Sequence, residues 1–195
     1  KVSGLFYTGE GDQASDALEV KVKSDTGTTL ATDSVTITVT DVNDVPTVTD
    51  FSETGTEDNV VHFTQTDFTA EFTDGDGDSL VKIQITALPD AAHGVLKLDG
   101  TNVSLNDEIV KADLGMLKFD PADDYTGSAS FEWKGSDGEA YSEAASTVTI
   151  SLSGTDDAPE ITVPGSVSAT EDVAKRIDGI SISDVDVEDA DDELS

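Results

Sequence analysis

The chain repeats itself. Ser34-Val-Thr-Ile-Thr-Val-Thr-Asp-Val-Asn-Asp-Val-Pro46 lies over Thr147-Val-Thr-Ile-Ser-Leu-Ser-Gly-Thr-Asp-Asp-Ala-Pro159, with the two prolines 113 positions apart. Gly55-Thr-Glu-Asp58 lies over Ala169-Thr-Glu-Asp172, 114 apart, and Asp74-Gly-Asp76 over Asp184-Val-Asp186, 110 apart. A fixed period means that one architectural unit recurs along the polymer, so the fold must be one that can be strung end to end. The chain divides into the tail of one unit (1–43), one whole unit (44–157) and the head of a third (158–195). It opens on neither an initiator methionine nor a signal-peptide pattern and stops inside a motif, which reads as a segment of a longer protein.

The unit is written in strands. Leu18-Glu-Val-Lys-Val22 alternates apolar with charged residues, and Ser34 to Thr40 alternates strictly with β-branched residues, on either side of a turn at Asp25-Thr26-Gly27. In the whole unit, Val60 to Phe63, Phe68 to Phe72 and Leu117 to Phe119 read as extended. Leu80 to Ala87 alternates, with Val81, Ile83 and Ile85 as the inward set. Val95 to Leu98 and Thr101 to Leu105 flank Asp99-Gly100, the strongest short hairpin signal in the chain. Phe131 to Lys134 and Thr147 to Leu152 flank a turn around Asp137-Gly138. Asp107 to Leu114 is the one ambiguous element, with a short helical turn among its readings. Many short strands, frequent Gly/Asp turns and no amphipathic helix predict an all-β sandwich.

Charge decides what such units can touch. There are 42 acidic and 10 basic residues, for a formal net charge of −32. That excludes nucleic acid, whose phosphates need a Lys/Arg surface, and anionic membrane surfaces for the same reason. Self-repulsion opposes compaction, so counter-cations are expected to matter for folding. Leu, Ile, Val and Phe make up 48 of 195 residues, little above the level at which highly charged chains stay disordered. No cysteine is present, so the units hold together without disulfides, and no run of about 18 apolar residues predicts a membrane span.

The acids are concentrated where units join. Asp41-Val42-Asn43-Asp44-Val45-Pro46 places three oxygen-bearing side chains within four positions and ends on a proline that holds the chain extended. Gly154-Thr155-Asp156-Asp157-Ala158-Pro159 is a second copy. Calcium takes six to eight oxygens from carboxylates, amides and main-chain carbonyls. Loops from two sandwiches joined by a short linker face that linker, and their carboxylates repel unless a divalent ion lies between them.

These motifs resemble cadherin repeats, and more closely the cadherin-like tandem repeats of very large bacterial surface adhesins. Thr56-Glu-Asp58, the run Phe72 to Leu80, Leu88-Pro-Asp-Ala-Ala-His-Gly-Val-Leu-Lys-Leu-Asp-Gly100 and Phe119-Asp-Pro-Ala-Asp-Asp-Tyr-Thr-Gly127 follow in the order of that family, over essentially all of residues 34–195. The resemblance implies a seven-stranded Greek-key β-sandwich in tandem copies, Ca2+ at the joints, and export to the bacterial cell surface by type I secretion. It also implies ligands. Asp41, Asn43 and Asp44 would join Asp74 and Asp76 at the first joint. Asp156 and Asp157 would join Glu57, Asp184 and Asp186 at the second, and Glu171 stands where Glu57 does, one repeat later. Gly154 replaces the first linker carboxylate, which implies weaker binding at the second joint, and no counterpart of the cadherin Asp-Arg-Glu motif is present, which lowers the expected number of ions.

Other chemistries fit less well. Asp74-Gly-Asp-Gly-Asp78 opens like an EF-hand loop, but Ile85 stands where that loop needs its bidentate glutamate, and no helices flank it. His62 and His93, the only imidazoles, read as structural or surface residues. Among so many acids no carboxylate pair is marked for glycoside hydrolysis, and the chain is read as no enzyme. Asn102-Val-Ser104 fits a glycosylation sequon at a predicted hairpin. Trp133 and Tyr125 are assigned to the core or its border. Two roles remain: a calcium-braced stiff spacer in cell adhesion or biofilm formation, and a module that itself recognises polysaccharide, another cell surface or another copy of itself. With aromatic residues at 6% and mostly inside strand patterns, the spacer is the preferred reading. The strands at both ends lack partners and are expected to be poorly packed.

Overall fold

The structure, a computed structural model, describes residues 15–23, 25–38 and 42–186 of the chain. Its body is a β-sandwich formed by residues 47–153. One sheet runs, edge to edge, through Glu108–Val110, Lys82–Ala87, Gly127–Ser136, Ser146–Ser153 and Phe51–Thr56. The facing sheet runs through Val61–His62, Leu117–Pro121, Gly94–Leu98 and Thr101–Asn102. Strands close in sequence pass from sheet to sheet, so hydrogen-bonded neighbours are often distant in the chain, the Greek-key arrangement. All pairs in the two sheets are antiparallel except one: Phe51–Thr56 lies parallel to Ser146–Ser153, from Val148 opposite Phe51 to Ser153 opposite Thr56.

Alternation builds the core. Along Gly127–Ser136, Ala129, Phe131 and Trp133 point inward and are buried; along Ser146–Ser153, Val148, Ile150 and Leu152 do the same. Phe119, Leu96 and Val61 close the core from the other sheet. Aromatic rings meet edge to face at its centre: Phe68 lies 5.1 Å from Trp133 and 5.2 Å from Phe51, and Phe63 lies 5.5 Å from Phe131. The Asp99-Gly100 turn forms as expected, with both residues at positive φ (47° and 80°), the backbone a two-residue hairpin needs.

Two expectations need correction. Phe68 to Phe72 is not one extended segment: Gln65–Ala70 is a short α-helix and Phe72–Thr73 a separate strand. The Asp67 carboxylate accepts the Thr64 N–H at 2.6 Å and its hydroxyl at 2.8 Å, which closes the first turn and drops Phe68 into the core. Apolar spacing of two at Phe68, Ala70 and Phe72 imitated a strand. Val81 is exposed while Leu80 is buried, because the strand begins only at Lys82 and the alternation does not extend back through the preceding loop. The ambiguous stretch resolves into a strand, Glu108–Val110, and a 3₁₀ segment, Lys111–Met116.

Outside this body, Ser15–Lys23 and Thr29–Thr38 pair as an antiparallel hairpin, and Glu160–Thr162 pairs with Ser181–Ser183. Leu30 and Val35 in the first, and Ile161, Val173, Ile177 and Ile180 in the second region, are exposed. No helix among the described residues is long and apolar enough to cross a membrane.

Candidate metal centre

Asp74-Gly-Asp-Gly-Asp78 folds on itself. Asp74 Oδ1 accepts the main-chain N–H groups of Asp76 at 2.9 Å and Asp78 at 3.2 Å, and Gly77 takes a positive φ of 82°. The Asp76 carboxylate then accepts the main-chain N–H of Asp44 at 2.5 Å, fastening the linker to this turn. Asp44 lies directly over Gly75, where an added Cβ would meet its Oδ2 at 2.3 Å. Asp74 Oδ2 and Asp76 Oδ1 are shielded from solvent and accept no hydrogen bond. Beside them, the Asn43 amide donates to Asp137 Oδ2 at 3.1 Å and to the Asp44 carbonyl at 2.9 Å. Partial burial pushes the Asp137 carboxyl upward, but bonds from the Ala140 N–H, the Asn43 amide and the Glu139 N–H outweigh it and hold the group below the usual carboxylate range.

The second linker repeats this geometry. The Asp157 N–H donates to Asp186 Oδ2 at 2.5 Å, and the Asp186 N–H to Asp184 Oδ1 at 3.1 Å. The Thr-Glu-Asp turns match as well: Asp58 and Asp172 both take left-handed φ, 57° and 60°, and Asn59 and Val173 close equivalent turns onto Thr56 and Thr170. At this joint the end of the sandwich is also described. Glu57, only 2% exposed, donates its N–H to the Ser153 carbonyl and accepts the Thr155 N–H on Oε1 at 2.6 Å.

Two overlapping carboxylate groups result. Glu57, Asp157 and Asp186 each offer an oxygen within 4.8 Å of the others, and so do Asp58, Asp124 and Asp157. Asp157 belongs to both, and its Oδ2 is buried without a partner. Burial first, then the charges of Asp186, Asp124, Asp58 and Glu57, push the Asp157 carboxyl above its ordinary value. Burial, then Asp58, Glu57, Asp123 and Asp186, does the same to Asp124. Five acids thus share one small volume with no basic side chain among them, an arrangement that favours a cation.

The structure therefore brings Asn43 and Asp44 to Asp74 and Asp76 at one end of the sandwich, and Glu57 and Asp157 to Asp186 at the other. Asp184 holds the Asp186 turn through its Oδ1. Asp156 and Glu171 are exposed and belong to neither group. Asp41 lies outside the described residues. Asp58 and Asp124 are the additions that sequence reasoning missed. Asp124 sits in the loop between Leu117–Pro121 and Gly127–Ser136, and its main-chain N–H donates to Asp58 Oδ1 at 3.2 Å. The Asp-Asp-Tyr-Thr-Gly turn was a visible signal, but the contact spans 66 positions.

The donors fit a hard divalent ion: carboxylates and an amide, with three carboxylate oxygens buried and unpartnered. No curated protein matches the chain. Compared with protein families, residues 42–153 match the cadherin-like domain, a span that runs from the first linker through the last strand of the sandwich. With that match and the sandwich described above, the chain belongs to the cadherin-like domain family.

Proposed function

We propose that this chain is a calcium-braced structural repeat of an extracellular bacterial adhesin, a stiff spacer that holds a binding region away from the cell. In this reading the units are successive repeats of 1–43, 44–157 and 158–195. Calcium would be held by Glu57, Asp58, Asp124, Asp157 and Asp186 at the second joint, and by Asp44, Asp74 and Asp76 with Asn43 and Asp41 at the first. Bound there, the ion supplies the positive charge that carboxylates from two units need in order to stay close. The observation that carries the reading is Asp157: it is contributed by the linker, belongs to both carboxylate groups, and keeps a buried oxygen without a partner.

Extracellular calcium modules bind at about 10⁻⁴–10⁻³ M. At millimolar calcium this stabilises each site by on the order of 1–2 kcal/mol, enough to fix an orientation and too little to build a core. The test is small-angle X-ray scattering with calcium and with chelator. A larger radius of gyration and a narrower shape distribution in calcium are expected, and identical curves would overturn the reading. Terbium luminescence adds a local readout, because Tyr125 neighbours Asp124 in sequence. Specific binding on a glycan array, with scattering unmoved by calcium, would instead make the repeat a carbohydrate-recognising module.

A further inference from the structure

We infer that without metal the second linker turns about the one peptide N–H left unfastened, that of Asp156, and that side-chain hydrogen bonds hold the equivalent residue of the first linker, Asn43. The inference concerns the joints without metal and stands whether or not calcium binds.

In the second linker the main chain is fastened on both sides. The Thr155 N–H is held by Glu57, a buried residue of the sandwich. The Asp157 N–H is held by Asp186, which belongs to the next segment. Beyond Asp157, Pro159 fixes its own φ and restricts Ala158. Only the φ and ψ of Thr155 and Asp156 lie between the two fastened nitrogens, because the peptide planes themselves do not turn. Asp156 is exposed and makes no hydrogen bond. The peptide that joins Thr155 to Asp156 is the unit these rotations move, and its N–H is the one left unfastened between the two anchors.

In the first linker the equivalent of Asp156, 113 positions earlier, is Asn43. The Asp44 N–H is held by Asp76 as Asp157 is held by Asp186. The difference is the side chain. The Asn43 amide donates to Asp137 and to the Asp44 carbonyl, tying the residue to the turn after Gly127–Ser136. A carboxylate has no proton to donate and cannot make this bond. Asn at this position locks the linker to the sandwich that follows it, and Asp leaves it loose.

Backbone ¹⁵N relaxation of the full chain in chelator tests this. At Asp156 the order parameter is expected to fall below about 0.6, with Thr155 and Asp157 on either side near the rigid-backbone value of about 0.85. Asn43 is expected to show no dip in the wild type and a dip in both Asn43→Ala and Asn43→Asp. Asn43 is half-buried and lies outside the core, and an otherwise unchanged amide spectrum reports that the sandwich is intact. A dip spread across Thr155 to Asp157, no dip at Asp156, or Asn43 variants as rigid as the wild type would each overturn the inference.

Discussion

The main-chain N–H of Thr155 donates to Glu57 Oε1 at 2.6 Å, across 98 positions of sequence. Glu57 therefore does two things: it orders the linker and supplies charge to the acidic group. The two separate by substitution. Glu57→Gln keeps an acceptor for Thr155 and is expected to weaken calcium binding about tenfold, roughly 1.4 kcal/mol, with little change of stability in chelator. Glu57→Ala also removes the acceptor of the Thr155 N–H, which costs about 1 kcal/mol, the net worth of one hydrogen bond, with or without calcium. Calorimetric titration and urea melts check both, and equal behaviour of the two variants in chelator would contradict the division.

Acid should stabilise the metal-free joint. Asp157 and Asp124 titrate above their ordinary value when folded, chiefly through burial and then through neighbouring carboxylates. When unfolded they return to about 3.9. A carboxyl raised by folding destabilises in its ionised form. Without metal, stability is therefore gained as pH falls through the raised values toward the unfolded one, and lost as pH rises through the same window. Calcium reverses the trend, since protons displace it from carboxylates. Melting temperatures across pH in chelator and in calcium should slope in opposite senses, and Asp157→Asn should flatten the chelator curve.

Gly94 begins its strand at φ 142°, and a Cβ there would lie 2.5 Å from the Asp120 carbonyl oxygen and 2.6 Å from Phe119 Cζ. Gly94→Ala must move main chain and a buried ring, so a loss of about 2–4 kcal/mol is expected. Gly100, at φ 80° with open space around it, isolates the conformational part alone, at about 1–2 kcal/mol for Gly100→Ala. Urea midpoints measured at constant slope distinguish them, and equal losses would refute the steric account.

Phe68 bridges Phe51 and Trp133 at the centre of the core. Phe68→Ala is expected to cost about 3–5 kcal/mol and to shift the emission of Trp133, the chain's only tryptophan. A loss below about 1 kcal/mol would mean that the short helix is not anchored by this ring.

Period-two patterning carried the strands, because the inward faces of Ala129-Phe131-Trp133 and Val148-Ile150-Leu152 are set by pleat alone. The resemblance to cadherin repeats pointed to Glu57, Asp157 and Asp186 as neighbours, and the structure brings an oxygen of each together. What stayed hidden was non-local or conformational. Phe68 reads as a strand residue until Asp67 caps the turn before it. Asp58 and Asp124 each adopt φ near 57°, a left-handed turn conformation that a row of acids does not announce. Asp156 looked like its neighbour Asp157 in sequence, yet only Asp157 is fastened toward Asp186.

The parallel pairing of Phe51–Thr56 with Ser146–Ser153 has a mechanical consequence. The chain enters the sandwich at the start of the first strand and leaves from the end of the last. Traction on the two termini therefore pulls these strands in opposite directions along their length. Their ladder bonds must then fail together in shear; an antiparallel pair closed by a hairpin would peel one bond at a time. A tether built from such units resists extension at its first-to-last seam.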